Sequence, residues 1–183
     1  MDRRQRKSRE AIFSAFISLL GEKKFSSITV GEIIEKADVG RATFYAHFET
    51  KDYLLKELCE DLFCHIFDLT WGEVNGHRHI FECNDTDSPY LHLLRHIERN
   101  DNGITTLLSG RNNELFWRYF KAGLDKMVKS CLPMFEERRR EGLPFEFWEN
   151  HISSTFTSAI RWWIDGGMRE PAENVYRYFS LVV

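Results

Sequence analysis

Apolar residues recur every three or four positions along nearly the whole chain, which is the spacing of one buried helical face. The pattern predicts helices from Ser8 to about Gly21 and from Lys51 to about residue 72. It predicts later helices at 89–100, 112–140, 145–166 and 171–181. Pro133 should kink or split the helix that contains it, because its ring clashes with the carbonyl one turn back. No segment alternates apolar and polar residues as a half-buried strand does, so the sequence predicts an all-α fold.

Two short helices in the first third carry explicit start signals. Thr29 and Glu32 form a Thr-x-x-Glu capping box, and Ile28 can pack onto Ile33 across the first turn. These signals predict a helix over 29–37, followed by a tight turn and a second short helix over 41–48. Two short helices joined by a three-residue turn and braced by a preceding helix form a helix-turn-helix, whose second helix enters the DNA major groove.

The outward face of the helix at 41–48 suits close approach to DNA. Phe44 and Phe48 are four residues apart and must face the core, which leaves an outer face that is small, hydroxylated and free of carboxylates. On this face Arg41 can reach a guanine edge or a phosphate, and the methyl groups of Ala42 and Thr43 can meet thymine methyls. Phosphate contacts, which fix register without reading sequence, are predicted for Thr29, Tyr45, His47 and Lys51.

The distribution of charge along the chain supports the same assignment. The net charge is −3, which alone argues against a protein whose whole surface binds nucleic acid. Residues 1–56, however, carry 11 Lys and Arg against 8 Asp and Glu, whereas residues 57–183 carry 14 against 20. A short basic arm ahead of the first helix, able to follow a DNA backbone or enter a minor groove, is predicted at Arg3, Arg4, Arg6 and Lys7.

The segment from Ile28 to Leu55 resembles the signature of the tetracycline-repressor (TetR) family of transcriptional regulators, within a matched block of about residues 6–67. The matching positions are Thr29, Ile33, Ala37, Val39, Thr43, Tyr45, Phe48, Lys51, Leu54 and Leu55. Asp38 stands where the family often has Gly in the turn, and Gly40 stands where Ser commonly caps the second helix. Asp tolerates a left-handed backbone and Gly is an acceptable cap, so neither departure removes the expected DNA binding.

The resemblance implies a division of the chain and an assembly. Residues 1–50 are expected to form the DNA-binding domain, and residues 51–183 a helical domain for effector binding and dimerisation. The family implies a homodimer that binds a palindromic operator in double-stranded DNA near a promoter. Such a regulator is usually a repressor that a small-molecule effector releases.

Aromatic residues are concentrated in the second part, since 19 of the 26 and every Trp follow residue 56. An effector pocket is expected between the helix at 51–72 and the helices at 89–100 and 112–130; its candidate lining residues are Phe63, Phe67, Trp71, His92, His96, Trp117 and Phe120. A dimer interface is expected on the last two helices, through Trp148, Ile152, Phe156, Ala159, Trp163, Tyr176 and Phe179. A plain hydrophobic core is the alternative for both sets, because aromatic residues at helical spacing are its ordinary content.

Two alternative functions are compatible with the sequence. The first is a metal-responsive regulator, because His92 and His96 lie four apart, as two ligands on one helical face do. Zinc requires three or four ligands, however, and no motif fixes the others, so no metal or cofactor is assigned. The second is a co-regulator of the same fold that acts through protein contacts without an effector of its own.

Other classes of protein do not fit the sequence. It contains no nucleophile elbow, glycine-rich phosphate loop or other catalytic signature, so we predict that the chain is not an enzyme and assign no catalytic residue. No apolar run approaches the roughly 20 residues that cross a bilayer, and no apolar signal core follows the basic N-terminal segment. These features predict a cytoplasmic protein without a membrane partner, and the family resemblance implies that it is bacterial.

Overall fold

The computed structural model describes residues 3–71, 88–109 and 114–183, and within these ranges the regular structure is helical, without a strand. The longer helices are α1 (Arg3–Glu22), α2 (Val30–Ala37), α3 (Arg41–His47), α4 (Lys51–Trp71), α5 (Pro89–Glu98), α6 (Ile104–Ser109), α7 (Glu114–Cys131), α8 (Phe145–Asp165) and α9 (Ala172–Val182). Short 3-10 helices lie at Phe25–Ser27, Asp101–Gly103 and Leu132–Arg138. Over the ranges described, none of the helices has the length and apolar character that crossing a membrane requires. The predicted all-α fold is confirmed.

Helices α1 to α3 form a small bundle, here called the head, around a core of aromatic and aliphatic side chains. Phe16, Ile33 and Phe44 are completely buried where α1 packs on α2 and α3. The ring of Phe48, which follows α3, meets that of Phe13 edge-on, with centroids 5.3 Å apart. These contacts hold the inner face of α3 against α1 and turn its other face outward.

The predicted capping box at the start of α2 is confirmed. The Thr29 hydroxyl accepts a hydrogen bond from the Glu32 backbone N–H (3.2 Å), and the Glu32 carboxylate accepts one from the Thr29 N–H (2.8 Å). At the other end of α2, Asp38 adopts the left-handed conformation (φ 51°, ψ 48°) and begins the turn. Asp therefore occupies a backbone conformation that elsewhere favours Gly, which accounts for the departure from the family pattern.

Two helix boundaries differ from their predicted positions by more than two residues. Helix α1 begins at Arg3 instead of Ser8, because Arg, Gln and Lys favour helix even where no apolar period marks it. Helix α7 ends at Cys131, and the chain continues as a 3-10 helix over Leu132–Arg138. Pro133 lies at the start of that segment, so the predicted long helix is split there.

Helices α4 to α9 form the body of the protein. Helix α4 packs on α7, α7 packs on α8, and α9 packs on both α5 and α8. At the centre, the ring of Tyr90 lies 4.9 Å from that of Phe156 and 5.1 Å from that of Phe179, between centroids. Helices α4 and α7 approach so closely at Gly123 that a Cβ there would lie 2.2 Å from the Phe63 ring. A residue with a side chain at this position would require the Phe63 ring or one of the helices to shift.

The head and the body meet at the turn Asp101–Gly103. This turn and α6 pack on α1. Gly103 (φ 71°) lies so close to α1 that a Cβ there would be 2.5 Å from Cγ2 of Ile17. On another side of α1, Arg9 forms an ion pair with Glu57 of α4 (3.3 Å). Helix α1 is therefore attached to two separate parts of the body.

Candidate nucleic-acid interface

The outer face of α3 is small and free of carboxylates, as predicted. Arg41, Ala42 and Ala46 are exposed, and Tyr45 has 48% of its surface exposed. Thr43 is half-buried. The hydrogen-bonding groups on this face are therefore a guanidinium, a hydroxyl and a phenol, and the carbons around them are small enough for a close approach to a groove.

Thr29, a predicted phosphate contact, is exposed just before α2, but Glu32 engages its hydroxyl. That hydroxyl donates to Oε2 of Glu32 (2.9 Å). The Lys23 ammonium, which forms an ion pair with the same carboxylate, and the hydrogen bonds from Thr29 lower the pKa of Glu32 to about 2. A charged carboxylate therefore stands at the start of α2, beside the position that was predicted to bind a phosphate.

Lys51, another predicted phosphate contact, points into the protein. Its Nζ donates to the carbonyl oxygens of Ile28 (2.8 Å), Phe25 (2.9 Å) and Ser26 (3.3 Å). An ammonium has three N–H donors, and these carbonyls use all three. Lys51 thus holds residues 25–28, the turn that leads into α2, and a phosphate contact through its ammonium would require exchange of one of these hydrogen bonds.

His47, at the end of α3, bonds to the neighbouring helix. Its Nε2 lies 2.8 Å from Oγ of Ser8 in α1. Burial and the positive charge of Arg9 lower the pKa of His47 below its ordinary 6.5. The imidazole is therefore neutral at physiological pH, and its bond to Ser8 ties the C-terminal end of α3 to α1.

The Ser8–His47 bond brings the basic end of α1 next to α3. The predicted basic arm is not an arm, because Arg3 already belongs to α1 and the cations lie in its first turns. Three of the four are exposed, namely Arg3, Arg4 and Lys7, and the fourth, Arg6, has its Nε 3.7 Å from the Glu10 carboxylate. A group of positive charges therefore has a fixed place beside the outer face of α3.

A cavity of about 280 Å³ lies between α4 and α7. It contains Phe63, one of the predicted pocket residues, whose ring packs on that of Phe120 with centroids 5.5 Å apart. The other lining residues are Lys56, Cys59, Glu60, Cys64, Tyr119, Ala122, Gly123 and Lys126. The lining thus combines apolar side chains with two lysines and a glutamate.

The remaining predicted pocket residues lie on several helices of the body. Phe120 is buried, and Trp117 is half-buried, with its indole N–H donating to the carbonyl of Leu108 (3.2 Å). His92 and His96 are buried on α5. The side chains of Phe67 and Trp71 lie outside the described part of the structure.

Most residues predicted for the dimer interface lie inside the chain. Trp148, Ile152, Phe156, Trp163 and Phe179 are buried, and Ala159 and Tyr176 are half-buried. The apolar stripe of α8 packs on α7 and α9, and α9 packs on α5, so these five side chains belong to the core. Periodicity shows which face of a helix is apolar but not which chain covers it, and for these residues the core alternative is correct.

Two family profiles match this chain. The profile described as "Bacterial regulatory proteins, tetR family" matches residues 11–58, the range that contains α2 and α3. The profile described as "Transcriptional regulator C-terminal region" matches residues 84–183. Together they cover the helix-turn-helix and most of the helical body.

Individual relatives agree with these profiles. A TetR transcriptional regulator from Streptococcus agalactiae 2603V, known from its crystal structure, is 34% identical, with a TM-score of 0.73 over 100% of this chain and 96% of that chain. The uncharacterized HTH-type transcriptional regulator YvdT of Bacillus subtilis (strain 168) is 28% identical over 132 residues, which are 69% of this chain and 68% of YvdT. A second B. subtilis HTH-type regulator, YxbF, is 38% identical over 69 residues, which are 37% of this chain but 18% of YxbF. With a TetR-type helix-turn-helix domain followed by a C-terminal helical domain, the chain belongs to the TetR family of bacterial transcriptional regulators.

Proposed function

We propose that this chain is a repressor that binds a palindromic operator as a homodimer, with α3 of each protomer in a major groove. The observation that carries the proposal is the outer face of α3, which exposes Arg41, Ala42, Tyr45 and Ala46 without a carboxylate. The exposed cations of α1 stand beside this face. A helix that faces only solvent gains stability from Glu and Lys pairs, whereas an acid-free face with flanking cations suits a polyanion.

Within this arrangement the side chains divide into two roles. We assign base reading to Arg41, which can bond guanine O6 and N7, and to the methyl groups of Ala42 and Thr43. Tyr45 and the α1 cations are assigned to phosphates, where they fix the position of the head without reading sequence.

Selection of bound fragments from random DNA by the purified full chain tests the proposal. We expect a palindromic consensus whose two half-sites lie about one helical turn, roughly 34 Å, or a multiple of it apart. Selected fragments without a two-fold consensus would refute operator binding by a homodimer.

A carboxylate added to the outer face of α3 gives a sharper test of the same interface. Ala46→Glu brings a negative charge toward the phosphates and should weaken operator binding about 100-fold or more, since like charges in an interface cost several kcal/mol. Ser130→Glu is the matched control, because Ser130 is also exposed on a helix but belongs to α7 in the body and lies outside the lining of the α4/α7 cavity. Equal affinities of the two variants would exclude α3 from the DNA contact.

Base-reading and phosphate-binding residues should respond differently to substitution. Arg41→Ala should change which sequences are selected. Lys7→Ala should weaken binding to all sequences by a similar factor and lower the salt slope by about 1. A changed consensus with Lys7→Ala, or an unchanged one with Arg41→Ala, would reverse these assignments.

The exposed apolar surface of α8 and α9 supports the homodimer. Trp162, Tyr178, Leu181 and Val182 expose 55, 37, 73 and 62% of their surfaces, and the Trp162 and Tyr178 rings meet edge-on with centroids 6.2 Å apart. Large apolar side chains grouped on one surface mark an interaction site, and a two-fold dimer uses the same surface on both partners. The helices are those expected from the sequence, but the contact uses their outer faces.

Light scattering after size exclusion measures this assembly. The wild type should have about twice the chain mass of 21.7 kDa, whereas Trp162→Glu and Leu181→Glu should approach the mass of one chain. Met134→Glu is the control, since Met134 is 52% exposed outside α8 and α9 and should leave the dimer intact. A monomeric wild type, or dimeric variants at Trp162 and Leu181, would refute the assignment.

Release from the operator is assigned to a ligand of the body that favours a different spacing of the two heads. The cavity between α4 and α7 supports this assignment, because α4 follows the helix-turn-helix directly and lines the cavity with Cys59 and Phe63. A releasing ligand must bind more weakly when the operator is present, since coupling is reciprocal. A ligand of this cavity that binds equally well with and without operator would exclude such a role.

A further inference from the structure

Three buried histidines meet between α4 and α5. His65 comes from α4, and His92 and His96 come from successive turns of α5; they are 4, 1 and 1% exposed. One ring nitrogen of each lies within 4.8 Å of the corresponding nitrogens of the other two. The three ring centroids are 4.8, 4.9 and 5.2 Å apart. The pair that the sequence singled out therefore has a third partner, 27 positions before His92 in the chain.

The nitrogens of the α5 pair already have a spacing close to that of metal ligands. Nε2 of His92 and Nε2 of His96 are 3.0 Å apart. Two imidazoles on a tetrahedral zinc ion, each with a Zn–N distance of about 2.0–2.1 Å, have their nitrogens about 3.3 Å apart. Without an ion, a hydrogen bond between the two nitrogens joins them. With an ion, both lone pairs turn toward the same point after a shift of a few tenths of an ångström.

Asp101 orients His96 for this role. Its Oδ2 lies 2.7 Å from Nδ1 of His96, so the carboxylate accepts the Nδ1–H and leaves the lone pair on Nε2, which faces His92. A carboxylate behind the histidine is the usual partner of a metal-binding imidazole, because it fixes the tautomer and raises the basicity of the ligand nitrogen. Its negative charge also offsets part of the charge that an ion would bring into the core.

We propose that His65, His92 and His96 bind one divalent transition-metal ion per chain, of the class that prefers imidazole nitrogen, with Zn²⁺ as the best fit. Three protein ligands leave a fourth position for water or another small ligand, as in open zinc sites. Cys64, which precedes His65 in the chain, is not counted among the ligands, since it is exposed and lines the cavity between α4 and α7. The proposed donor set is therefore three nitrogens and no thiolate.

The position of the site links the ion to the DNA-binding head. An ion held by both α4 and α5 fixes the separation of these helices, and α4 begins only a few residues after α3. On the other side, Asp101 belongs to the turn whose Gly103 packs against Ile17 of α1. Occupancy of the site thus acts on both attachments of the head, and we assign it control of operator affinity. This second half rests on the proposed function; the metal site itself does not.

Titration of the chelator-treated, dialysed full chain with Co²⁺ tests the site without DNA. Cobalt absorbs visible light, and the intensity and position of its bands report coordination geometry and ligand type. We expect saturation at one ion per chain, bands of a nitrogen-ligated site without thiolate charge transfer, and displacement of Co²⁺ by Zn²⁺. Absence of saturable binding, or a thiolate band that Cys64→Ala removes, would overturn the proposed donor set.

Variants separate the three histidines from the rest of the protein. His65→Ala and His96→Ala should lose the cobalt spectrum, and His151→Ala, on α8, should keep it. Asp101→Asn leaves every proposed ligand in place and should weaken metal binding about 10–100-fold. Circular dichroism of the metal-free variants checks their folding, and Asp101→Asn keeps the test decisive should a histidine variant misfold. Wild-type affinity in both His65→Ala and Asp101→Asn would overturn the proposal.

Operator binding with and without Zn²⁺ tests the regulatory half. Using fragments selected by the metal-free chain, we expect Zn²⁺ to change operator affinity by at least about 5-fold, and the operator to change Zn²⁺ affinity by the same factor. Unchanged operator affinity in a chain that binds Co²⁺ would overturn the regulatory role. DNA binding without metal binding would refute the site alone, and metal binding without any DNA binding would refute the proposed function alone.

Discussion

Replacing Gly103 with Ala tests how tightly the head is packed against the body. Gly103 has φ 71°, and a Cβ there would lie 2.5 Å from Cγ2 of Ile17. A Cβ in the left-handed region costs about 1–2 kcal/mol, and an extra methyl group in a packed contact costs about 1–3 kcal/mol. The smaller entropy of the unfolded Ala chain returns about 0.4–1 kcal/mol. We therefore expect Gly103→Ala to lower the free energy of unfolding by about 2–4 kcal/mol, measured by urea unfolding at a fixed protein concentration.

Gly142→Ala is the matched control for this experiment. Gly142 also has a positive φ, 86°, but no heavy atom lies within 4 Å of its would-be Cβ. It carries the backbone cost alone, so we expect a loss of only about 1 kcal/mol. Adding Ile17→Ala to Gly103→Ala removes the carbon that the new Cβ meets, and the double-mutant cycle should show coupling of about 1–3 kcal/mol. Equal losses at Gly103 and Gly142, without coupling to Ile17, would refute the close contact at the junction.

Three further predictions concern the head and the cysteines. Lys51→Met removes the charged hydrogen bonds to the turn before α2 and should lower the free energy of unfolding by about 1.5–3 kcal/mol. Lys56 is exposed, so Lys56→Met should change the free energy of unfolding by at most about 0.5 kcal/mol. Equal effects of the two variants in chemical denaturation would contradict the role of Lys51. Because the pKa of Glu32 falls from 4.5 to about 2 on folding, its stabilising contribution is present above pH 4.5 and is lost as the pH falls toward 2. Glu32→Gln should therefore flatten the acid side of a curve of thermal stability against pH, and an unchanged curve would disprove the Lys23 and Thr29 contacts. Burial raises the pKa of the Cys131 thiol to about 12 and also raises that of Cys59, so in a Cys83→Ser background a thiol reagent should modify the exposed Cys64 first. Modification of Cys59 at the same rate as Cys64, detected by mass spectrometry, would contradict the packing of α4.

The parts of the fold that the sequence predicted correctly depend on local interactions. The capping box joins Thr29 to Glu32, three positions away, and the inward direction of Phe44 and Phe48 follows from helical geometry alone. The left-handed turn at Asp38 is set by its own backbone preference. Each of these features is determined within about one helical turn, so a single sequence contains the necessary information.

The sequence was least informative where a side chain's partner is distant along the chain. Lys51 has the residue type and position of a phosphate ligand, but its carbonyl partners lie 23 to 26 positions earlier. Periodicity shows that the stripe through Trp148, Ile152 and Phe156 is apolar, but it does not show that α7 and α9 of the same chain cover this stripe. The sequence did not predict that His65 lies beside His92, because the two residues belong to helices that are separate segments of the chain. Tertiary packing decides all three cases.

Lys51 and His65 lie on the same helix, α4, so a movement at one of them displaces the other by an amount that helix geometry gives. They are 14 positions apart, which is about 21 Å at 1.5 Å per residue. A tilt of α4 by about 5° around His65 would therefore move the Lys51 end by roughly 2 Å, so residues 25–28 would have to follow Lys51 or lose its hydrogen bonds. Because the Lys51 ammonium binds the carbonyls of Phe25, Ser26 and Ile28, such a tilt would pull on the N-terminus of α2 as well as on α3. Under the proposed function, a movement of the body would therefore reach the helix-turn-helix through its first helix as well as its second.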